Sequence, residues 1–234
     1  VEVEAAPPRP DASHIRLVFW SLFIGLIAAL NYGERFFGSS NNGGTAHQAV
    51  YSWSMFAGGT VIYAIWLGII LLIVRDRFDL LALRRPWSRQ RALTLGIGVI
   101  VAILVWEYLV SKIPLPESPG REQGLTDVHW EPAHAAAFAA NFVLFAVIAP
   151  FVEELTFRGS GQSLLRFLGR WPSILIVGVA FGLAHGLVEA LLVLVPFGIA
   201  LAWLRDRTNS VVPGMFVHAF FNGTALIAIV LFAG

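Results

Sequence analysis

Six residues in the second half of this chain have the types and spacings that chemistry requires. PFVEELTFRG carries Glu153, Glu154 and Arg158, FGLAHG carries His185, and HAFFN carries His218 and Asn222. On a helix, Glu154 and Arg158 stand four apart, share a face and can pair. Glu153 is turned about 100° from Glu154. The two acids are therefore expected to divide the work, Glu154 held by Arg158 and Glu153 pointing elsewhere. His218 and Asn222 are also four apart and project from one stripe. A carboxylate and a neutral imidazole can share a water and accept its proton. A second imidazole N–H and a carboxamide N–H can donate to a developing oxyanion. Together these groups suffice for amide hydrolysis without a covalent intermediate.

The elements that must position them are membrane helices. The 234 residues are 57% hydrophobic and 13% charged, with a mean hydropathy of +0.72. A soluble domain carries about a quarter of its residues as charge. Apolar stretches that approach the ~20 residues needed to cross a bilayer recur along the whole chain. The expected fold is all-α, a polytopic transmembrane bundle of about seven spans. These run near 16–31, 50–74, 92–110 and 134–155, and then begin near Pro172, Leu191 and Pro213. Pro172 and Pro213 suit a helix's first turn, and Pro196 falls inside the sixth span. The short gap between spans five and six fits either a tight hairpin or one bent segment. Gly178, Gly182 and Gly186 form a small-residue ridge that lets a neighbouring helix come close. Trp20, Trp106 and Tyr108 are expected as interfacial anchors.

Arginine sets the orientation. Arg75, Arg77, Arg84, Arg85, Arg89 and Arg91 lie between spans two and three, and positive loops stay in the cytoplasm. Alternation puts Arg158, Arg166, Arg170, Arg205 and Arg207 on the same side, with the N-terminus cytoplasmic. SSNNGGT and the acidic, Pro-rich stretch 111–131 fall opposite. Residues 1–14 read as a flexible polar tail, 15–133 as N-terminal spans and loops, and 134–234 as the catalytic membrane core. On this reckoning Glu153, His185, His218 and Asn222 share one cavity that opens to the cytosol. The Val1 start suggests trimming or a GTG start, which makes a bacterial inner membrane the expected location.

The absence of cysteine excludes disulfides, thiolate catalysis and Cys-ligated metal. No HExxH is present, and Ser160 in GSG lacks a nucleophile-elbow context. A net charge of +1 calls for no nucleic-acid partner. Zinc on Glu153, His185 and His218 is chemically possible and is a minority reading. Taken singly, each group has a plainer account: a packed histidine, an interfacial ion pair, an asparagine holding helices together. An ion pathway would need polar groups continuing outward, and few do. What favours a site is the combination, because an intramembrane ionisable group is functional by default.

EELTFR, FGLAH and HAFFN resemble, in order, the EExxxR, FxxxH and HxxxN motifs of the CPBP family, the CAAX proteases and bacteriocin-processing enzymes. The resemblance spans roughly 141–223. It implies an intramembrane glutamic endopeptidase, without metal or cofactor, acting on a membrane-anchored peptide or protein. By it, Glu153 and His185 activate water, His218 and Asn222 form the oxyanion site, and Glu154 and Arg158 support them. The other reading is a non-catalytic subunit or scaffold of a membrane complex that keeps the fold, since fold and function can separate.

Overall fold

A computed structural model describes residues 12–37, 46–114 and 128–232. It is an all-α polytopic bundle, with no strand among the described residues. In chain order the helices are α1 (Ala12–Phe37), α2 (Ala46–Tyr51), α3 (Trp53–Ile73), α4 (Arg89–Val110) and a long α5 (Pro132–Leu168). They continue as α6 (Arg170–Ala184), α7 (Leu191–Thr208) and α8 (Val212–Phe232). Among the described residues, helices fall near each of the seven expected spans. Five of them, α1, α3, α4, α5 and α8, are long and apolar enough to cross a membrane by length and composition. The α6 helix has 15 residues, and α7 ends on Arg205, Asp206 and Arg207. Residues 1–11 of the expected tail, SSNNGGT and most of the acidic loop lie outside the described residues. Ala12 to His14, assigned to the tail, instead form the first turn of α1.

Local chemistry starts and stops these elements. Ser52 and Ser88 cap α3 and α4, each accepting a backbone N–H three residues on. Asn209, at φ +54°, ends α7 and turns the chain into α8. The exterior is apolar, as lipid contact demands. Val18, Phe19, Leu22, Leu26 and Leu30 form an exposed stripe along α1.

With lipid tails as apolar as leucine, hydrophobic burial cannot drive one span against the next; close packing and hydrogen bonds must. The α6–α7 hairpin does this with glycine. A Cβ at Gly178 would lie 2.4 Å from Ile199, one at Gly182 2.5 Å from Val195, and one at Gly198 2.6 Å from the Gly178 carbonyl. The connection between spans five and six is therefore a hairpin, not a bent segment. Gly186 departs from the expected ridge: it follows the helix, at φ +68°, and meets Asn31 of α1.

Two prolines leave helix carbonyls that neighbouring helices fill. Pro196 has no N–H for the Leu192 carbonyl, which accepts the Trp106 indole at 2.6 Å. In α5, the Ala149 N–H reaches back five residues to Leu144, inside a π-helical stretch, Leu144–Ile148. Pro150 cannot donate next, so the Phe145 carbonyl has no partner in its own helix and accepts Asn222 Nδ2 at 3.0 Å. Trp20, unlike the 40%-exposed Trp106, is not an interfacial anchor. Trp20 is buried against Gly161 and donates to the Thr156 carbonyl at 2.9 Å.

The bundle has two distinct ends. At one, Val211 N–H donates to the Ala82 carbonyl, Trp87 N–H to that of Thr208, and His14 meets Phe167 edge-on. This end carries the arginine-bearing segments 75–91, 166–170 and 205–207. At the other, Asn31 donates to the Ala184 carbonyl at 2.6 Å, and Asn141 donates to Val50 and Ser52.

Candidate active site

Glu153 and Glu154 sit on the one α-helical turn of α5 between two π-helical stretches, Leu144–Ile148 and Leu155–Gly161. Such bulges rotate successive side chains off the ordinary helical stripe and recur at functional sites. Here both acids point inward. Glu154 and Arg158 are fully buried and paired, Nη1 to Oε1 at 2.8 Å. The second guanidinium nitrogen, Nη2, donates to the Gly198 carbonyl at 3.1 Å, and the group lies 4.1 Å from the Phe181 ring centroid. A buried ion pair contributes little net stability, because desolvation consumes most of its Coulomb gain. Its effect here is organisational: it holds α5 against α7 and fixes the Glu154 carboxylate.

That carboxylate faces His218, with Oε1 3.2 Å from Nδ1. Since Glu154 accepts, Nδ1 carries the proton and Nε2 is turned toward Glu153 Oε2, 3.8 Å away. His185 is held the same way. Its Nδ1 donates to the Phe181 carbonyl at 2.7 Å, which leaves Nε2 as a lone pair 4.0 Å from Glu153 Oε2. Both gaps are too long for direct hydrogen bonds and suit one bridging water. Phe181, buried between the two imidazoles and beneath the guanidinium, spaces all three.

The other oxygen of Glu153 is held by a residue that the sequence reading missed. Tyr63 of α3 donates its hydroxyl to Oε1 at 2.9 Å, with its ring stacked on Trp66. Trp66 in turn donates to Thr156 Oγ1 at 2.8 Å. The available signal was a tyrosine in mid-span, where a phenolic O–H away from water must find a partner. Ser160 is spent on the Leu155 and Thr156 carbonyls, which leaves it no nucleophilic role.

A cavity of about 170 Å³ adjoins this cluster, with Glu153, His185 and Tyr63 on its wall. His218 lies behind Glu153, and Asn222, tied to Phe145, does not line the cavity. The structure therefore joins five of the six expected residues around Glu153 and Glu154 and puts Asn222 further along α8. The expected opening is also corrected. The remaining wall comes from Asn31, Glu34 and Arg35 at the end of α1 and from the 184–187 turn, which is the bundle end away from the arginine-bearing loops. His185 closes a helix that starts at that arginine end, so the cavity beside it lies toward the opposite one. Among the described residues, no three His, Asp or Glu side chains are arranged to hold a metal ion.

Fold and site together define a polytopic helical membrane protein with carboxylates and imidazoles gathered inside its bundle. Residues 135–224 match the family model of the type II CAAX prenyl endopeptidases, Rce1-like. The resemblance to CPBP proteases read from the three motifs is thereby borne out, and over this segment the chain is similar to the type II CAAX endopeptidase family. The match contains all six candidate residues and leaves the first 134 outside it. Comparisons with curated proteins and with solved structures give no match.

Proposed function

We propose that this chain is a metal-independent glutamic intramembrane endopeptidase whose Glu153 and His185 activate the attacking water. The observation that carries this reading is the pair of imidazoles fixed at Nδ1, both presenting Nε2 to one carboxylate oxygen across water-sized gaps. Water bridges Glu153 Oε2 and His185 Nε2. As its oxygen bonds to the scissile carbonyl carbon, Glu153 takes its proton. The family resemblance assigns stabilisation of the resulting oxyanion to donors from His218 and Asn222, which stand next to the cavity wall and not on it. Collapse breaks the C–N bond, and Glu153 returns the proton to the leaving nitrogen.

Two details differ from a simple transfer of family roles. With the His218 Nδ1 proton facing Glu154, Nε2 is an acceptor in the neutral ring and donates only when both ring nitrogens carry protons. Asn222 retains one amide hydrogen after Phe145 takes the other. The substrate is a membrane-anchored peptide or protein. With arginine-bearing loops in the cytosol of a bacterial inner membrane, cleavage takes place on the outward side of the bundle centre.

The test is cleavage of a membrane-anchored peptide by purified enzyme, with Glu153→Gln and His185→Ala compared with wild type, and each repeated under chelator. Loss in both variants and indifference to chelation are expected. Full activity in Glu153→Gln would sink the mechanism, and inhibition by chelator reversed by zinc would replace it with a metal site. Intact cellular function in the double variant would favour a scaffold.

A further inference from the structure

A second cavity lies on the lipid-facing side of the bundle, away from Glu153, and its chemistry is different. It is a groove of about 630 Å³ between α1 and α3. Phe19, Leu22 and Leu26 line one side, with Ile69 and Leu72 on the other. Edge-to-face contact of Phe23 with Trp66 joins the two helices further from the arginine-bearing end. Toward the arginine-bearing end the groove finishes on two cations, Arg16 of α1 and Arg75 just past α3. Neither forms an ion pair with an acidic side chain among the described residues.

The dimensions fit one leaflet. From Ile15 to Leu26 is eleven helical steps, about 17 Å at ~1.5 Å each, against roughly 15 Å for half the hydrocarbon core. An apolar trough one leaflet long, closed by two guanidinium groups at headgroup depth, matches an acyl chain that carries an anionic phosphate. Arginine's planar fork suits phosphate oxygens, and the pair faces the membrane surface toward which positive loops are drawn.

We propose that the α1–α3 groove is a binding site for an anionic glycerophospholipid, with one acyl chain along the groove and its phosphate on Arg16 and Arg75. The site is independent of the hydrolytic reading. It pins α1 to α3, the two helices that also supply Asn31, Tyr63 and Trp66 to the cavity wall.

Native mass spectrometry of the intact chain tests this, using equimolar phosphatidylglycerol and phosphatidylcholine with identical acyl chains. At about 5-fold per arginine, wild type is expected to retain phosphatidylglycerol by roughly 30-fold over phosphatidylcholine. Arg16→Gln/Arg75→Gln should bring the two lipids near parity. Arg89→Gln/Arg91→Gln, which alters arginines at the same end but outside the groove, should leave the preference intact. Leu22→Trp, which fills the trough, should lower retention of both lipids. Equal retention by wild type would overturn the proposal, as would a preference that survives loss of Arg16 and Arg75. An equal loss in the Arg89/Arg91 variant would reassign the effect to diffuse surface charge. Displacement of bound lipid by a farnesylated peptide would reassign the groove to substrate.

Discussion

Tyr63→Phe removes one oxygen and leaves everything else in place. The phenolic O–H donates to Glu153 Oε1 at 2.9 Å, while the ring's stacking on Trp66, 5.6 Å between centroids, does not involve it. A hydrogen bond to a charged group contributes about 1.5–3 kcal/mol. Because Glu153 borders a cavity, water replaces part of that interaction in the variant, and a net loss of ~1–2 kcal/mol is expected. At 1.36 kcal/mol per decade, this lowers kcat by roughly 5- to 30-fold. The cause is not weaker substrate binding: a carboxylate released at one oxygen samples orientations in which the other no longer meets His185 and His218. The measurement is steady-state cleavage of a membrane-anchored peptide in proteoliposomes, with thermal unfolding as a control. A variant with wild-type kcat would refute the idea that Tyr63 holds the base. So would one whose loss lay wholly in KM, or whose unfolding temperature fell in step with its activity.

Three further outcomes follow from the same geometry. Arg158→Met leaves the Glu154 carboxylate buried without its cation and should destabilise the fold by about 3–5 kcal/mol; Glu154→Gln/Arg158→Met should recover much of this in thermal unfolding. Gly178→Ala puts a methyl group against Ile199, where there is no room, and should cost roughly 1–3 kcal/mol by overpacking; an unchanged unfolding temperature would contradict the close α6–α7 contact. Because the chain has no cysteine, single cysteines at Ser88 and Leu187 report sidedness directly. A membrane-impermeant maleimide should label Leu187→Cys in intact cells and Ser88→Cys only after lysis, and the reverse pattern would invert the orientation.

The residues that announced themselves in the sequence were those whose presence in apolar helices is costly. Glu153, Glu154, Arg158, His185 and His218 converge because each needs a partner that lipid does not supply, and helical spacing already paired Glu154 with Arg158. Tyr63 escaped because a tyrosine in a span has a cheaper explanation at the interface, and only the packing of α3 on α5 shows what its hydroxyl meets. Trp20 was misread for the same reason. Distance along one helix does not give depth in the bundle: π-helical turns in α5 and the early end of α6 decide which wall His185 joins, and so which end the cavity faces. Asn222 stood out as a polar group in an apolar helix, but its immediate partner depends on Pro150, whose missing N–H leaves the Phe145 carbonyl open.

The same device at Pro196 has a wider consequence. Two apolar helices in lipid can slide past one another by a turn, about 5.4 Å, with little change in how much greasy surface each presents. Packing alone therefore sets a neighbour but not an offset. A proline that strips one carbonyl of its partner creates a single address on a featureless rod, and only one side chain on the adjacent helix can occupy it. Asn222 on Phe145 and Trp106 on Leu192 read two such addresses, one between α8 and α5, the other between α4 and α7. The alignment of this bundle is thus written partly in missing hydrogens. Replacing Pro150 or Pro196 with alanine would straighten no visible fault, yet would erase the mark by which one helix finds its place along another.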